Sequence, residues 1–83
     1  MTVPAVHDAV FEFEYDDPQQ ARIVARSVRQ EVGQIDGDRT RATIARDGSV
    51  VTVTVLADDL VALRAGVNTW LTLVSVAERC GAV

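Results

Sequence analysis

The sequence predicts an α+β fold in two layers, with a three-stranded antiparallel sheet carrying two helices on one face in the order β-α-β-β-α. Three observations lead to this prediction. Residues 6–15 alternate between polar and apolar side chains, as a half-buried strand does. The pair Asp47-Gly48, typical of a tight hairpin, separates two further strand-like segments. Two other segments have apolar residues at helical spacing, one after the first strand and one after the third.

The first strand and first helix occupy the N-terminal half. Over 6–15, Phe11, Phe13 and Tyr15 share one side of the strand, which should face the core. Asp17 suits an N-cap and Pro18 the first helical position, so the helix is expected from there to about Val32. The apolar stripe expected to be buried consists of Ala21, Val24, Ala25, Val28 and Val32. Arg22, Arg26 and Arg29 share the opposite face.

The hairpin follows. Strands are predicted over 40–46 and 49–57, and Asp47-Gly48 predicts a two-residue type I′ turn between them. Such a turn makes the two strands antiparallel.

The last helix is expected to begin at a cap on Asp58 or Asp59, to reach about Arg79 and to end at Gly81. On a helical wheel its polar residues fall in a band roughly 80° wide, which leaves an apolar arc of about 240°. The polar band consists of Arg64, Asn68, Thr72, Ser75 and Arg79. A helix resting on a sheet needs an apolar stripe little wider than ~100°, so the excess predicts contact with another chain. Gly66 and Ala62 would permit close approach of a partner helix; alternatively, the first helix and the sheet cover the whole arc.

Composition predicts one domain over residues 1–83, with a core of small aliphatic side chains, since 48% of residues are hydrophobic and only 5% aromatic. The formal net charge is −4, and all eight basic residues are Arg. This acidity argues against a stand-alone nucleic-acid-binding domain, which usually has a basic face. An acidic chain without Lys suggests a salt-adapted source organism.

Residues 1–8 have neither the basic nor the apolar segment of a signal peptide, and no apolar run approaches the ~20 residues that span a membrane. A cytoplasmic protein without a membrane segment is therefore expected. Cys80 is the single cysteine, which excludes an intrachain disulfide.

No set of residues predicts catalysis, a metal site or a cofactor. His7 is the single histidine and has no nucleophile near it in sequence, and a metal site would need several ligands in register. The pairs Asp16-Asp17 and Asp58-Asp59 precede helices, where capping explains them. We expect a protein that is not an enzyme.

Two groups of polar residues keep two interpretations each. The arginines of the first helix form either a solvated face or a phosphate-binding row. Arg64 and Asn68 lie on an otherwise apolar helix, and their band is either a binding surface or the wet edge of the helix.

The segment 56–71 resembles the signature of the Pcc-type small subunit of the KEOPS tRNA-modification complex. In that family a strand ends in Ala-x-Asp, a helix continues with Leu-Arg-Ala, and Asn-Ser or Asn-Thr follows. The matching residues are Ala57, Asp59, Leu63, Arg64, Ala65, Asn68 and Thr69. The N-terminal half agrees more loosely, through Ala21, Ile23, Ser27-Val28 and Arg39.

This resemblance implies an archaeal or eukaryotic cytoplasmic protein with no catalytic residue of its own. It implies a homodimer that docks a Kae-type catalytic subunit through its helices, and through it a Bud-type kinase and a Cgi-type subunit. The complex installs threonylcarbamoyl on adenosine 37 of ANN-decoding tRNAs, and the small subunit helps to hold the tRNA.

Carried onto this sequence, the resemblance predicts two sets of site residues. The partner or dimer interface is expected to include Leu60, Leu63, Val67, Trp70, Leu71 and Val74. Contacts with tRNA are expected from Arg64, Asn68 and Arg79, with possible help from Arg39 and Arg41.

Two other functions fit a small α+β domain. A stand-alone KH-like RNA-binding domain has the right size, but its Gly-x-x-Gly loop is missing from this sequence. A small regulatory domain that dimerises through its sheet would instead bind a metabolite at the dimer interface.

Overall fold

The fold is that of a computed structural model, which describes residues 7–32 and 40–81. The elements, in chain order, are β1 (His7–Glu14), α1 (Pro18–Arg29), β2 (Thr40–Asp47), β3 (Val50–Ala57) and α2 (Leu60–Gly81). The predicted element order is confirmed, and the strand bounds differ from the predicted ones by one residue at several ends.

The sheet has the order β1-β3-β2, with the last strand in sequence at its centre. β3 is antiparallel to both neighbours, and its Ala57 lies opposite His7 on one side and Thr40 on the other. At the other end Val50 lies between Glu14 and Asp47. The three-stranded antiparallel sheet predicted from the sequence is therefore confirmed.

Both helices pack on the same face of this sheet, as predicted. Alternate residues of β3 point to that face, and Val51, Val53 and Val55 are fully buried there. α1 packs mainly on β2 and β3, and α2 mainly on β3 and β1. The helices contribute a buried set to the core: Ala21, Val24, Ala25, Val28, Trp70, Val74 and Ala77.

The aromatic side of β1 faces this core, as predicted from its alternation. Phe13 packs against the buried cluster, and so does Tyr15, which directly follows the strand. Val10 and the carboxylates of β1 lie on the other side and are exposed. The face of the sheet without helices is called the open sheet face below.

α1 begins where predicted and ends earlier. The Asp17 carboxylate accepts the backbone N–H of Gln20 at 2.8 Å, so Asp17 is the N-cap. The helix ends at Arg29 rather than near Val32, because the N–H groups of Glu31 and Val32 bond to carbonyls three residues earlier and tighten the chain into turns. Val32 still packs against the core from that turn. Gly33, the residue after the predicted end of the helix, lies outside the described residues.

The hairpin turn lies one residue later than predicted. Asp47 pairs with Val50, so the two turn residues are Gly48 and Ser49. Gly48 has a φ of 61°, and no other residue of the described segments has a positive φ. A positive φ at the first turn position alone matches type II′, which favours Gly there, and not the predicted type I′.

α2 is capped by Asp59, whose carboxylate accepts the N–H of Ala62 at 2.8 Å. Gly66 faces the sheet: a Cβ atom at this position would lie 3.1 Å from Val55 Cγ1 and 3.6 Å from Thr40 Cγ2. Ala62 is buried as well. The expectation that Gly66 and Ala62 serve a contact with a partner helix is therefore wrong, because these small residues let α2 approach its own sheet.

α2 is also long and apolar enough to span a membrane by length and composition alone, with a mean hydropathy of 1.4 over its most apolar window within Leu60–Cys80. Core helices of non-membrane proteins meet the same criterion of length and composition. Here one side of α2 packs on the sheet through Trp70 and Val74.

Replacing Gly66 by Val should destabilise the fold, because the added atoms meet Val55 across a gap that has no room for them. We expect the free energy of unfolding to fall by about 1–3 kcal/mol. The matched control is Ala65→Val at the neighbouring exposed position, which should cost only about 0.6 kcal/mol through helix propensity. Denaturant unfolding followed by circular dichroism measures both, and equal losses would contradict the close approach.

Candidate partner-binding surface

The polar band lies on the outward face of α2. Its members are all exposed: Arg64, Asn68, Thr72, Ser75 and Arg79. The buried residues Trp70, Val74 and Ala77 lie on the opposite side of the helix. Thr72 donates its hydroxyl hydrogen bond to the carbonyl of Asn68 at 2.9 Å, so this hydroxyl is satisfied within the helix.

The prediction that Trp70 and Val74 lie at an interface is wrong, because both side chains are buried within the chain. Each is only 2% exposed and lies in the hydrophobic core. The physical reason is volume: Trp70 fills the space over β1 and β3 that the small aliphatic side chains leave, beside Phe11 and Phe13. Neither residue has free surface for a partner.

The other predicted interface residues divide into two levels of exposure. Leu63 and Val67 are half-buried, and Leu63 packs against the core. Leu60 is 65% exposed and Leu71 38% exposed. Val61, which the interface prediction left out, is the most exposed large apolar residue of α2 at 75%. On the helical wheel Val61 falls within the polar band, where an apolar side chain cannot reach the core. This position could have predicted its exposure from the sequence.

A shallow groove lies at the start of α2. Its lining residues are Leu60, Val61, Arg64, Ala65 and Asn68. We call it the α2 groove; its volume is ≈ 380 Å³. Two exposed apolar side chains beside one guanidinium and one amide give a surface that can bury apolar area and fix orientation by hydrogen bonds.

The structure does not bring the predicted tRNA-binding residues together. Arg64 and Asn68 line the α2 groove, whereas Arg79 lines a depression at the other end of the helix. Arg41 lies opposite Leu56 on the open sheet face, across the sheet from the helices. Arg39 lies outside the described residues.

Tyr15 and Glu78 form a contact that sequence reasoning missed. The Tyr15 hydroxyl donates a hydrogen bond of 2.7 Å to a Glu78 carboxylate oxygen and joins the end of β1 to the end of α2. Burial, and secondly this bond to a carboxylate, raise the pKa of Tyr15 well above its usual range. The two residues are 63 positions apart, so no local pattern could reveal the pair.

Within residues 7–32 and 40–81 there is no group of three or more His, Cys, Asp or Glu side chains placed to hold a metal ion. The most distinctive surface of this part of the chain is instead the outward side of α2. The fold and this surface define a small two-layer α+β protein with an exposed helix face that mixes apolar and polar side chains.

Comparison of the sequence with models of known protein families identifies the family of this chain. Residues 8–81 match the family model described as "Transcription factor Pcc1", and the chain belongs to this family, the small non-catalytic subunits of KEOPS-type complexes. No curated protein sequence matches the chain.

Among solved structures, the chain is similar to one chain of the "Crystal structure of binary complex Gon7-Pcc1". The two are 16% identical with a TM-score of 0.78, and the match covers 92% of this chain and 93% of that chain. At this identity the likeness confirms the fold.

The Tyr15 contact predicts an alkaline loss of stability. Because the pKa of Tyr15 is raised in the folded state, the neutral form contributes stability that is complete below the unfolded pKa of about 10 and is lost as pH rises further. The chain has one Tyr and no Lys, so few other side chains titrate in this range. Denaturant unfolding from about pH 8 to 12 should show the free energy of unfolding falling above about pH 10.

The Tyr15→Phe variant is the matched control. It should be less stable at neutral pH by about 1 kcal/mol, the net contribution of one hydrogen bond, and should lack the alkaline fall. An equally steep fall in this variant would show that another group causes it.

Proposed function

We propose that the chain is the homodimeric small subunit of a KEOPS complex, that it docks a Kae-type catalytic subunit and that it helps to hold tRNA. Through the catalytic subunit it joins a Bud-type kinase and a Cgi-type subunit in the cytoplasm. The complex installs threonylcarbamoyl on adenosine 37 of ANN-decoding tRNAs. We also infer a salt-adapted source from the acidic composition without Lys, and an archaeal source from the family.

The exposed apolar start of α2 is the observation that carries the proposed docking. Leu60 and Val61 are the two most exposed large apolar residues of the helix, and they flank one groove. Burying each against a partner would contribute about 1.5–3 kcal/mol. Arg64 and Asn68, in the same groove, would then make polar contacts at the rim of the interface.

The open sheet face is proposed for the second copy of the chain. Val10 is 58% exposed there, and the half-buried Leu56 lies between Asp8 and Arg41 of the two neighbouring strands. If the catalytic subunit takes the α2 groove, this face keeps Val10 and Leu56 available for a dimer, with polar side chains around them. A dimer also helps an 83-residue domain, whose own core is small.

The tRNA contact is proposed for Arg79 and Arg41, with Arg39 as a further candidate. Arg64 and Asn68 line the α2 groove, so they can contact tRNA only if the docked catalytic subunit leaves their side chains exposed. Because Arg79 and Arg41 lie on different sides of the sheet, they would touch separate parts of a tRNA or act from different copies of the dimer.

Docking is tested with the Leu60→Asp/Val61→Asp variant. We expect its affinity for the Kae-type subunit to fall roughly a hundredfold or more, since about 3 kcal/mol of apolar burial is lost and two charges enter the interface. Its own stability should change little, because both side chains are exposed. Co-purification and calorimetric titration measure the loss.

The matched control is Ile23→Asp, which adds a charge at an exposed apolar position of α1. It should bind the catalytic subunit as the unaltered chain does. Unchanged binding by the α2 variant would contradict docking through the groove.

Dimer formation is tested by mass measurement in solution on the Val10→Asp variant. We expect this variant to shift toward the mass of a monomer while its affinity for the catalytic subunit is kept. The Leu60→Asp/Val61→Asp variant should remain a dimer. If Val10→Asp instead loses the catalytic subunit and the α2 variant becomes a monomer, the two surfaces have the opposite roles. If the unaltered chain is itself a monomer, the proposed homodimer is wrong.

A further inference from the structure

α1 carries a row of three arginines that the proposed function does not use. Arg22, Arg26 and Arg29 are exposed and stand four and three residues apart. At 1.5 Å rise per residue, their Cα atoms are about 6 and 4.5 Å apart along the helix, and all three fall within roughly 60° of its circumference. We call this row the arginine stripe.

The stripe is poorly neutralised by the rest of the described chain. Within residues 7–32 and 40–81, Arg22 and Arg26 form no hydrogen bond or ion pair. The Arg29 guanidinium makes one long contact, 3.5 Å, to the carbonyl oxygen of Ile44. α1 contains no acidic residue between Pro18 and Arg29.

The carboxylates nearest in sequence lie at the two ends of α1. At its start, Asp17 is engaged as the N-cap, and Asp16 precedes it. Glu31 follows its end. The helix dipole stabilises a cation in the last turn of a helix. This effect explains the positions of Arg26 and Arg29 but not that of Arg22 near the start of α1.

The position of the stripe separates it from the α2 groove. Arg29 reaches toward Ile44 of β2, which is an edge strand. α2 packs mainly on β3 and β1, on the other side of α1. The stripe therefore lies on the flank of α1 that faces away from α2, and a partner on the α2 groove would leave it uncovered.

The chemistry of this flank fits phosphate groups. A guanidinium group presents planar, paired donors that match the oxygens of a phosphate. Gln19 is exposed beside the stripe on the same helix and adds an amide group of the kind that contacts phosphate and sugar. Ile23 is the one large exposed apolar residue of α1, whereas protein interfaces usually centre on a buried apolar cluster.

We propose that the arginine stripe binds the phosphate backbone of an RNA strand, independently of sequence. This inference rests on the proposed function, in which the complex holds tRNA, and it adds a contact surface on α1 to the residues proposed above. Three phosphates in a row along one strand are the ligand that the stripe fits.

The test uses the assembled complex and a transcript of an ANN-decoding tRNA. Binding is measured across a salt series for the unaltered complex and for the variant Arg22→Ala/Arg26→Ala/Arg29→Ala. Loss of three phosphate contacts should reduce the slope of log Kobs against log salt by about 2–3 and weaken binding roughly tenfold or more at moderate salt. The variant's circular dichroism and its affinity for the catalytic subunit should be unchanged, since the three side chains are exposed.

Two controls separate charge from other causes. Replacing the three arginines by Lys should keep the slope and lose only a few-fold in affinity, because the charges stay and the paired donors go. An equal loss in the Lys and Ala variants would overturn the proposal. Arg46→Ala should lower the slope by no more than about one, because it removes a single charge that lies outside the stripe.

Failure of this inference differs from failure of the proposed function. If the Ala variant assembles and binds tRNA with an unaltered slope, the stripe has no RNA contact while docking stands. If the variant binds tRNA normally but loses another protein of the complex, the stripe is an acidic-protein contact and the proposal is wrong. If the complex without this chain binds tRNA with the same affinity and slope, the proposed tRNA role fails as well.

Discussion

Every other element of the structure depends on the central position of β3. Its valines form the floor on which both helices pack, and its two edges hold the other strands. With an aromatic content of 5%, the core must be closed by short aliphatic side chains. Close approach is therefore essential, and Gly66 supplies it where α2 crosses Val55. Trp70 then fills the remaining volume over β1, which is why the largest side chain of α2 is used inside the chain rather than at an interface.

One side of α2 is committed to this small core, and the most exposed apolar side chains of the helix have no cover within the described chain. The polar band divides that surface, and the start of the helix keeps exposed Leu60 and Val61 beside Arg64 and Asn68. A helix can serve a core and a partner at once only if these duties fall on different sides. In α2 the core side and the partner side differ around the circumference of the helix. They also differ along its length, because the groove lies at the start of the helix and Glu78 near its end bonds to Tyr15 of the same chain.

The elements could be predicted from the sequence because their signals are local: alternation in β1, the Asp17 cap, the Asp59 cap and the glycine of the hairpin. The turn itself was displaced by one residue, because pairing of Asp47 with Val50 is decided by the register of the whole sheet. The polar band was predictable, since a wheel orders residues around one helix. The arc that meets the sheet cannot be read from a wheel, because it depends on the volume left by β1 and β3. For this reason the sequence predicts Trp70 and Val74 at an interface, whereas the structure buries them. The Tyr15–Glu78 bond depends on tertiary packing alone.

The described residues, 7–32 and 40–81, present three separate surfaces: the α2 groove, the open sheet face and the arginine stripe. Such separation follows from a two-layer fold with both helices on one face. The sheet keeps one face without helices, and each helix turns a different flank outward. A subunit that binds without chemistry of its own needs this geometry, since partners compete unless they meet different faces. The net charge of −4 strengthens the point: in an acidic chain, a polyanion can be held only where arginines stand together and carboxylates stay away, and the described part of α1 meets both conditions.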